Sequence, residues 1–160
     1  MSRHIHATMA AKLTIAALAL PASLGLLAGA AHGDGAGMDC DDTGSAVHGT
    51  PGDDHLVGTA GDDLIYGHGG NDTIDGRGGN DTIIGGNGND EIRGRGGKDC
   101  LHGGKGQDDV SGGKGDDRLN GGDGHDMLRG GKGKDHADGG KGHDSMPDRG
   151  PNDTALRVEH

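Results

Sequence analysis

Aliphatic residues recur at every ninth position along most of this chain, and polar residues flank most of them. A polar, aliphatic, polar triplet is typical of a short β-strand that turns one side chain inward. Six residues rich in glycine separate one triplet from the next, and such stretches favour tight turns. The pattern therefore predicts eleven short strands joined by six-residue turns. The predicted inward residues are Leu56, Ile65, Ile74, Ile83, Ile92, Leu101, Val110, Leu119, Leu128, Ala137 and Met146.

The complete repeat reads G-x-x-G-x-D-x-U-x, where U is aliphatic, and it occurs eleven times between Gly49 and Pro147 without an insertion. The first position is glycine from Gly49 to Gly139, and the fourth is glycine from Gly52 to Gly142. One strand per repeat, with a reversal at each turn, makes a coil of about 18 residues, and coils stack about 4.8 Å apart. The sequence therefore predicts an all-β solenoid with two facing parallel sheets of three-residue strands, in about five and a half coils.

Aspartate occupies the sixth position of all eleven repeats, where each turn leads into its strand. Stacked coils bring these carboxylates into columns, and carboxylate and carbonyl oxygens are the ligands that Ca²⁺ prefers. Mg²⁺ requires stricter geometry and loses water reluctantly, so it is expected to bind poorly. The predicted metal ligands are Asp54, Asp63, Asp72, Asp81, Asp90, Asp99, Asp108, Asp117, Asp126, Asp135 and Asp144.

The composition makes the metal a requirement for folding. The 160 residues include 38 glycines and one tyrosine, with no tryptophan or phenylalanine, and the formal net charge is −11. So little large apolar surface excludes a conventional globular core, and stacked carboxylates oppose folding further. We therefore expect a largely unfolded metal-free chain in which calcium binding and folding are coupled. The acidic charge also argues against nucleic acid as a partner.

On these residues the chain resembles the RTX, or haemolysin-type, calcium-binding nonapeptide repeat proteins, whose unit is G-G-x-G-x-D-x-U-x. Residues 85–93 match every fixed position. The resemblance implies a right-handed parallel β-roll that binds multiple Ca²⁺ ions. Each ion would lie between the turns of repeats n and n+2, held by the sixth-position aspartates and nearby backbone carbonyls, with up to about nine sites. Position two departs from glycine at Thr50, Thr59, His68, Arg77 and Arg95.

The segments outside the repeats predict a secretory signal and two end caps. Residues 1–30 begin with basic residues, continue in an apolar run and end in small residues, which is typical of a cleaved signal peptide. A membrane anchor is the alternative, but the apolar run is short, contains a proline and lacks a basic stop. We predict residues 31–48 as an N-terminal cap or linker, 49–147 as the calcium-binding roll, and 148–160 as a C-terminal cap or tail. The expected location is extracellular, in a bacterium, with no membrane span after cleavage.

Cys40 and Cys100 are the only cysteines. In an exported protein they can form a disulfide, and our hypothesis is that residues 32–48 fold across an apolar patch beside Cys100 and bring Cys40 to it. Two independent thiols or an intermolecular bridge are the alternatives. The patch consists of Leu64, Tyr66 and Ile84.

Among possible functions, the sequence favours a secreted protein that folds cooperatively as it binds calcium. The alternative is a calcium-stabilised adhesion or protein-interaction module that uses the outer sheet faces, with an unknown protein or cell-surface partner. We expect no enzymatic activity, because neither H-E-x-x-H nor G-x-S-x-G occurs. The protein is expected to be a monomer.

Overall fold

The computed structural model describes residues 14–16 and 44–156, which form strands and turns and contain no helix. The fold is the predicted all-β solenoid. The strands are β1 (Thr14–Ala16), β2 (Ser45–His48), β3 (His55–Val57), β4 (Asp63–Gly69), β5 (Thr73–Asp75), β6 (Thr82–Asn87), β7 (Glu91–Gly96), β8 (Cys100–Gly106), β9 (Asp109–Lys114), β10 (Arg118–Gly124), β11 (Met127–Lys132), β12 (His136–Lys141) and β13 (Thr154–Leu156).

The strands alternate between two parallel sheets. One sheet has the order β1-β3-β5-β7-β9-β11, and the other has the order β13-β12-β10-β8-β6-β4-β2. Within the repeats, paired residues lie 18 positions apart, as for Ile83 with Leu101 and Ile74 with Ile92. Each coil of the roll therefore contains two nonapeptides, as the period of nine predicts.

A single column of aliphatic side chains fills the space between the sheets. Ten of the eleven predicted inward residues, from Leu56 to Ala137, are at most 2% exposed. Val47 extends this column at the N-terminal end, and Met146 packs against it at the other end, partly buried. Because only one residue in nine enters the core, the packing contributes less than in a globular domain of this length.

Most strands are longer than the three residues expected from the sequence. β4, β8 and β10 have seven residues each, because the pairing continues past the strand triplet into the glycine turn. Gly86 pairs with Gly104, for example, two positions beyond the triplet. Where the strands are extended, the turns are thus stacked on one another by the same backbone ladder as the strands, which fixes the paired turn residues relative to the next coil.

Both ends of the roll carry additional strands. At the C-terminal end β13 pairs with β12, and Asp153 occupies the predicted aspartate register, where it accepts the Asp135 N–H at 3.1 Å. At the other end β1 pairs with β3. β1 lies within the predicted signal segment, whose other residues are outside the described part of the chain, so the signal peptide stays a prediction.

Of the two cysteines, the structure describes Cys100 only. Cys100 is disulfide-bonded, and Cys40, the other cysteine of the sequence, lies outside the described residues. Leu64, Tyr66 and Ile84, the predicted patch beside Cys100, are each half-buried. The Tyr66 ring stacks on His48, with 5.1 Å between the ring centroids.

Candidate metal centre

The sixth-position carboxylates lie inside the roll at the edge of the core. All eleven predicted ligands occupy equivalent positions, and those from Asp63 to Asp144 are at most 5% exposed, whereas Asp54 is half-buried. In each interior repeat, carboxylate Oδ1 accepts a hydrogen bond from the backbone N–H of the aspartate two repeats earlier. The Asp81 N–H to Asp99 Oδ1 bond, at 2.9 Å, is typical. One oxygen of each carboxylate therefore ties two coils together.

The second carboxylate oxygen, Oδ2, has no hydrogen-bond partner in nine of the eleven repeats, although it is buried. A buried charged oxygen without a donor is unfavourable, and a bound cation would compensate it. The nine unpartnered Oδ2 atoms belong to Asp72, Asp81, Asp90, Asp99, Asp108, Asp117, Asp126, Asp135 and Asp144.

The same nine turns share one backbone conformation. In repeats three to eleven, positions two and four both have positive φ angles, as at Gly104 (124°) and Gly106 (136°). His68, Arg77 and Arg95, which depart from glycine at position two, adopt this conformation with φ of 76–77°. Three of the five departures are therefore compatible with the common turn.

Glycine at position one, and at position four of repeats three to eleven, is required by close contacts with oxygen and other backbone atoms. A Cβ at Gly106, in position four, would lie 1.9 Å from the Gly88 carbonyl oxygen of the preceding coil. A Cβ at Gly103, in position one, would lie 2.4 Å from Asp108 Oδ2 and 2.6 Å from the Gly121 carbonyl oxygen. The missing side chains let carboxylate and carbonyl oxygens gather at the turn.

The donor set fits a hard cation. No three histidine, cysteine, aspartate or glutamate side chains converge anywhere in the described residues, so an ion in these turns would be held by one or two carboxylates together with backbone carbonyls. Ca²⁺ accepts such all-oxygen sets with irregular geometry, whereas Zn²⁺ sites are built from histidine and cysteine. The residues present therefore fit calcium.

The electrostatics of the turns also favour a bound cation. Burial raises the pKa of Asp81, Asp108 and Asp117 to about 7 and that of Asp72 and Asp99 to about 6. The backbone hydrogen bond to each carboxylate lowers the pKa in part, while neighbouring acidic side chains raise it further. Without a cation, burial therefore favours the protonated carboxyl up to about pH 6 to 7, and a cation would compensate the same buried charge as that proton.

We predict that acid promotes folding of the metal-free chain. The raised pKa values mean that the folded state binds protons more tightly than the unfolded state, whose aspartates titrate near 3.9. This stabilisation is complete below about pH 4 and is lost as the pH rises through 6 to 7. Asp75, whose pKa is lowered by its hydrogen bond to Arg95, acts in the opposite direction but is a single group.

In calcium-depleted buffer, far-ultraviolet circular dichroism should therefore show more β-structure at pH 5 than at pH 8. With calcium present the dependence reverses, because protons compete for the same oxygens, and the calcium midpoint of folding should rise as the pH falls below 7. A metal-free spectrum that is identical at both pH values would contradict the prediction that protonation of these carboxylates promotes folding.

Two residues of the candidate site were missed by sequence reasoning, which treated them only as departures from glycine. Thr50 and Thr59 donate both backbone N–H and side-chain hydroxyl to Oδ2 of Asp54 and Asp63. In these two repeats Oδ2 is therefore satisfied by the chain itself. The sequence feature that could have predicted these bonds is a threonine four residues before each aspartate, because threonine hydroxyls commonly form hydrogen bonds with nearby turn atoms.

Comparison with known proteins identifies the repeat. The family model described as the RTX calcium-binding nonapeptide repeat matches residues 48–83, 75–110 and 111–146, which together cover the roll. A search of curated proteins gives no match. In the described residues no helix is long and apolar enough to cross a membrane. Sequence, turn geometry and family match agree that the chain belongs to the RTX calcium-binding nonapeptide repeat family and contains a calcium-binding β-roll.

Proposed function

We propose that this protein is secreted and that its roll folds cooperatively when calcium fills the turns between adjacent coils. The observation that carries the proposal is the row of nine buried Oδ2 atoms without a donor, at the same position of nine consecutive turns with the same backbone conformation. Without a cation, each of these atoms opposes folding. A cation held between such an atom and the turn of the following coil would stabilise the roll.

The proposed ligands are the sixth-position aspartates and the carbonyl oxygens of the glycine turns. Bound calcium supplies positive charge that neutralises the buried carboxylates, and the chain supplies their orientation. The bond from the Asp81 N–H to Asp99 Oδ1 orients the Asp99 carboxylate, and equivalent bonds orient the carboxylates of the other interior repeats. The glycine at position one leaves the space that carboxylate Oδ2 occupies.

Cooperativity follows from the way in which each carboxylate joins two coils. Oδ1 of Asp99 accepts a hydrogen bond from the preceding coil, while its Oδ2 is free for an ion. An ion that orients Asp99 therefore also orders the Asp81 turn. Stacked repeats of this kind gain most of their stability from the interface with their neighbours, so partially filled rolls should be poorly populated.

Secretion fits the calcium affinity that such sites need. Extracellular calcium-binding modules have dissociation constants of about 10⁻⁴ to 10⁻³ M, which is adequate outside the cell. RTX repeat proteins are generally extracellular bacterial proteins and are typically non-catalytic. We propose that the chain is exported unfolded through its N-terminal signal and folds when it meets calcium, and we assign it no catalytic role.

The test is a calcium titration of residues 31–160 followed by far-ultraviolet circular dichroism. We expect a cooperative and reversible transition from coil to β-structure at sub-millimolar to millimolar calcium, and none with magnesium at the same concentrations. Excess chelator should reverse it. Full β-structure in chelator at pH 8 would show that the metal is not required, and a chain that stays unfolded in 10 mM calcium, a level about tenfold above the weakest expected constant, would reject the proposal.

A further inference from the structure

The turns of repeats one and two differ from the other nine in their hydrogen bonds. The Thr50 hydroxyl donates to Asp54 Oδ2 at 2.9 Å, and the Thr59 hydroxyl donates to Asp63 Oδ2 at 3.0 Å. The backbone N–H of each threonine donates to the same oxygen. Two donors therefore converge on the oxygen that has no partner in repeats three to eleven.

The backbone differs as well. Positive φ angles at positions two and four occur together in every repeat from three to eleven, but in neither of the first two repeats. Thr50 and Thr59 consequently direct their N–H groups at the carboxylate, as a compact turn stabilised by a side chain does. In the first two turns the threonine therefore donates hydrogen bonds to the carboxylate Oδ2, which has no donor in the other nine turns.

At the C-terminal end of the roll, an aspartate carboxylate also accepts hydrogen bonds from nearby backbone N–H groups. Asp153, the aspartate after the last repeat, accepts the Gly150 N–H on Oδ2 and the Asp135 N–H on Oδ1. Both of its oxygens therefore have donors from the backbone. Repeat proteins commonly end in atypical repeats that cover the last open interface, and here the atypical units at both ends are those whose carboxylate Oδ2 accepts a hydrogen bond within the chain.

We propose that repeats one and two bind no calcium and form a metal-independent N-terminal cap, with Thr50 and Thr59 supplying the donors that replace the ion. This inference rests on the proposed function. An ion between repeats n and n+2 uses the free Oδ2 of repeat n, and that oxygen is taken in repeats one and two. The free Oδ2 atoms of Asp135 and Asp144, in repeats ten and eleven, have no repeat n+2 to complete a site. The eleven repeats then provide seven inter-coil sites, from the pair of repeats three and five to the pair nine and eleven, instead of nine.

The cap has a role in folding. A hydrogen bond from a hydroxyl or amide to a carboxylate is strengthened by its charge, so Oδ2 of Asp54 and Asp63 needs no ion, although Asp63 Oδ1 is buried without a partner. Asp54 N–H and Asp63 N–H donate to Oδ1 of Asp72 and Asp81 at 2.8 and 2.9 Å. The cap therefore orients the first two carboxylates that bind calcium.

The first experiment counts ions by native mass spectrometry and equilibrium dialysis in saturating calcium. The full-length processed chain should bind seven ions. Asp63→Asn should still bind seven, whereas Asp81→Asn, the matched change one coil away at an equally buried position, should lose at least one. Nine ions in the unmodified chain, or equal losses in the two variants, would overturn the inference.

The second experiment tests the threonines through the calcium midpoint of folding. The double variant Thr50→Gly, Thr59→Gly introduces the residue that six other repeats carry at this position. We expect its midpoint to rise about 1.5-fold, because the loss of two capping residues is divided among several ions. Thr50→Ser, Thr59→Ser keeps both hydroxyls and should fold at the original concentration. A glycine double variant with an unchanged midpoint would reject the cap.

The outcomes separate this inference from the proposed function. A chain that binds no calcium, or that is folded equally in chelator, removes the proposed function itself. Calcium-driven folding with nine bound ions keeps the proposed function and removes only the metal-free cap.

Discussion

Gly97→Ala should prevent the roll from folding at calcium concentrations that fold the unmodified chain. Gly97 has φ of 139°, which an L-residue rarely adopts, and a Cβ there would lie 1.8 Å from the Gly79 carbonyl oxygen of the preceding coil. That oxygen belongs to a stacked backbone and cannot withdraw without separating two coils. We expect a loss of about 3 to 5 kcal/mol, in the range of severe backbone and packing defects.

The neighbouring residue provides the matched control. A Cβ at Gly96 would be 4.0 Å from its nearest neighbour, the Arg77 carbonyl oxygen, and the φ of Gly96 is not positive. Gly96→Ala should therefore change the stability by less than about 0.5 kcal/mol. Calcium titrations of both variants by circular dichroism make the comparison. Similar midpoints for the two would show that the coils are not stacked as closely as this structure places them.

Asp117→Asn should have opposite effects with and without calcium. The Asp117 side chain is 1% exposed, its Oδ1 accepts the Asp99 N–H at 3.0 Å, and its Oδ2 has no partner. Asparagine keeps the shape and the Oδ1 acceptor but removes the charge. In chelator this relieves a carboxylate whose pKa burial raises to about 7, so the metal-free roll becomes more stable by an amount on the order of 1 kcal/mol. In calcium the same change removes a charged ligand, and the midpoint should rise roughly twofold.

The stabilisation expected without calcium and the destabilisation expected with calcium can both be measured by comparing Asp117→Asn with the unmodified chain. Trimethylamine N-oxide favours compact states and can fold the metal-free chain in chelator at pH 8, where the carboxylate is ionised. Asp117→Asn should fold at a lower osmolyte concentration and at a higher calcium concentration than the unmodified chain. Asp116→Asn changes the adjacent exposed aspartate, whose side chain is 54% exposed, and should shift neither midpoint appreciably. A destabilisation of Asp117→Asn in both conditions would mean that hydrogen bonding, and not charge, governs the site.

The fold could be predicted because every repeat has the same aliphatic residue position, the same length and the same aspartate position. The aliphatic residue at position eight, from Leu56 to Ala137, marks the core without exception. The period of nine fixes the 18-residue register, and the aspartate column follows from that register. These properties depend only on which side chains face inward, and the alternation of residue types along a strand determines this.

The repeat pattern alone did not predict which carboxylates accept hydrogen bonds on Oδ2 from their own turn. Asp63 and Asp81 look equivalent in the sequence, yet Asp63 Oδ2 accepts two bonds from Thr59 while Asp81 Oδ2 has none. The difference arises from the φ angles at positions two and four of the turn. Threonine, a β-branched residue for which a positive φ is unfavourable, takes one conformation there, and His68 takes the other, so the distinguishing signal lies at position two and not at the aspartate. The extension of the strands into the turns depends on the same angles.

The constant spacing of the strand pairs has a consequence for how long such a chain can become. Within the repeats, each strand contacts strands that lie 18 residues away, as much at β10 as at β6. The segment that must close to add a coil therefore never lengthens, and the entropic cost of each closure stays the same. Folding of one more coil is as local an event at the end of the array as at its start. Duplication of 18 residues would lengthen the protein without making it harder to fold, so the number of ions that it holds can evolve independently of its folding rate per coil.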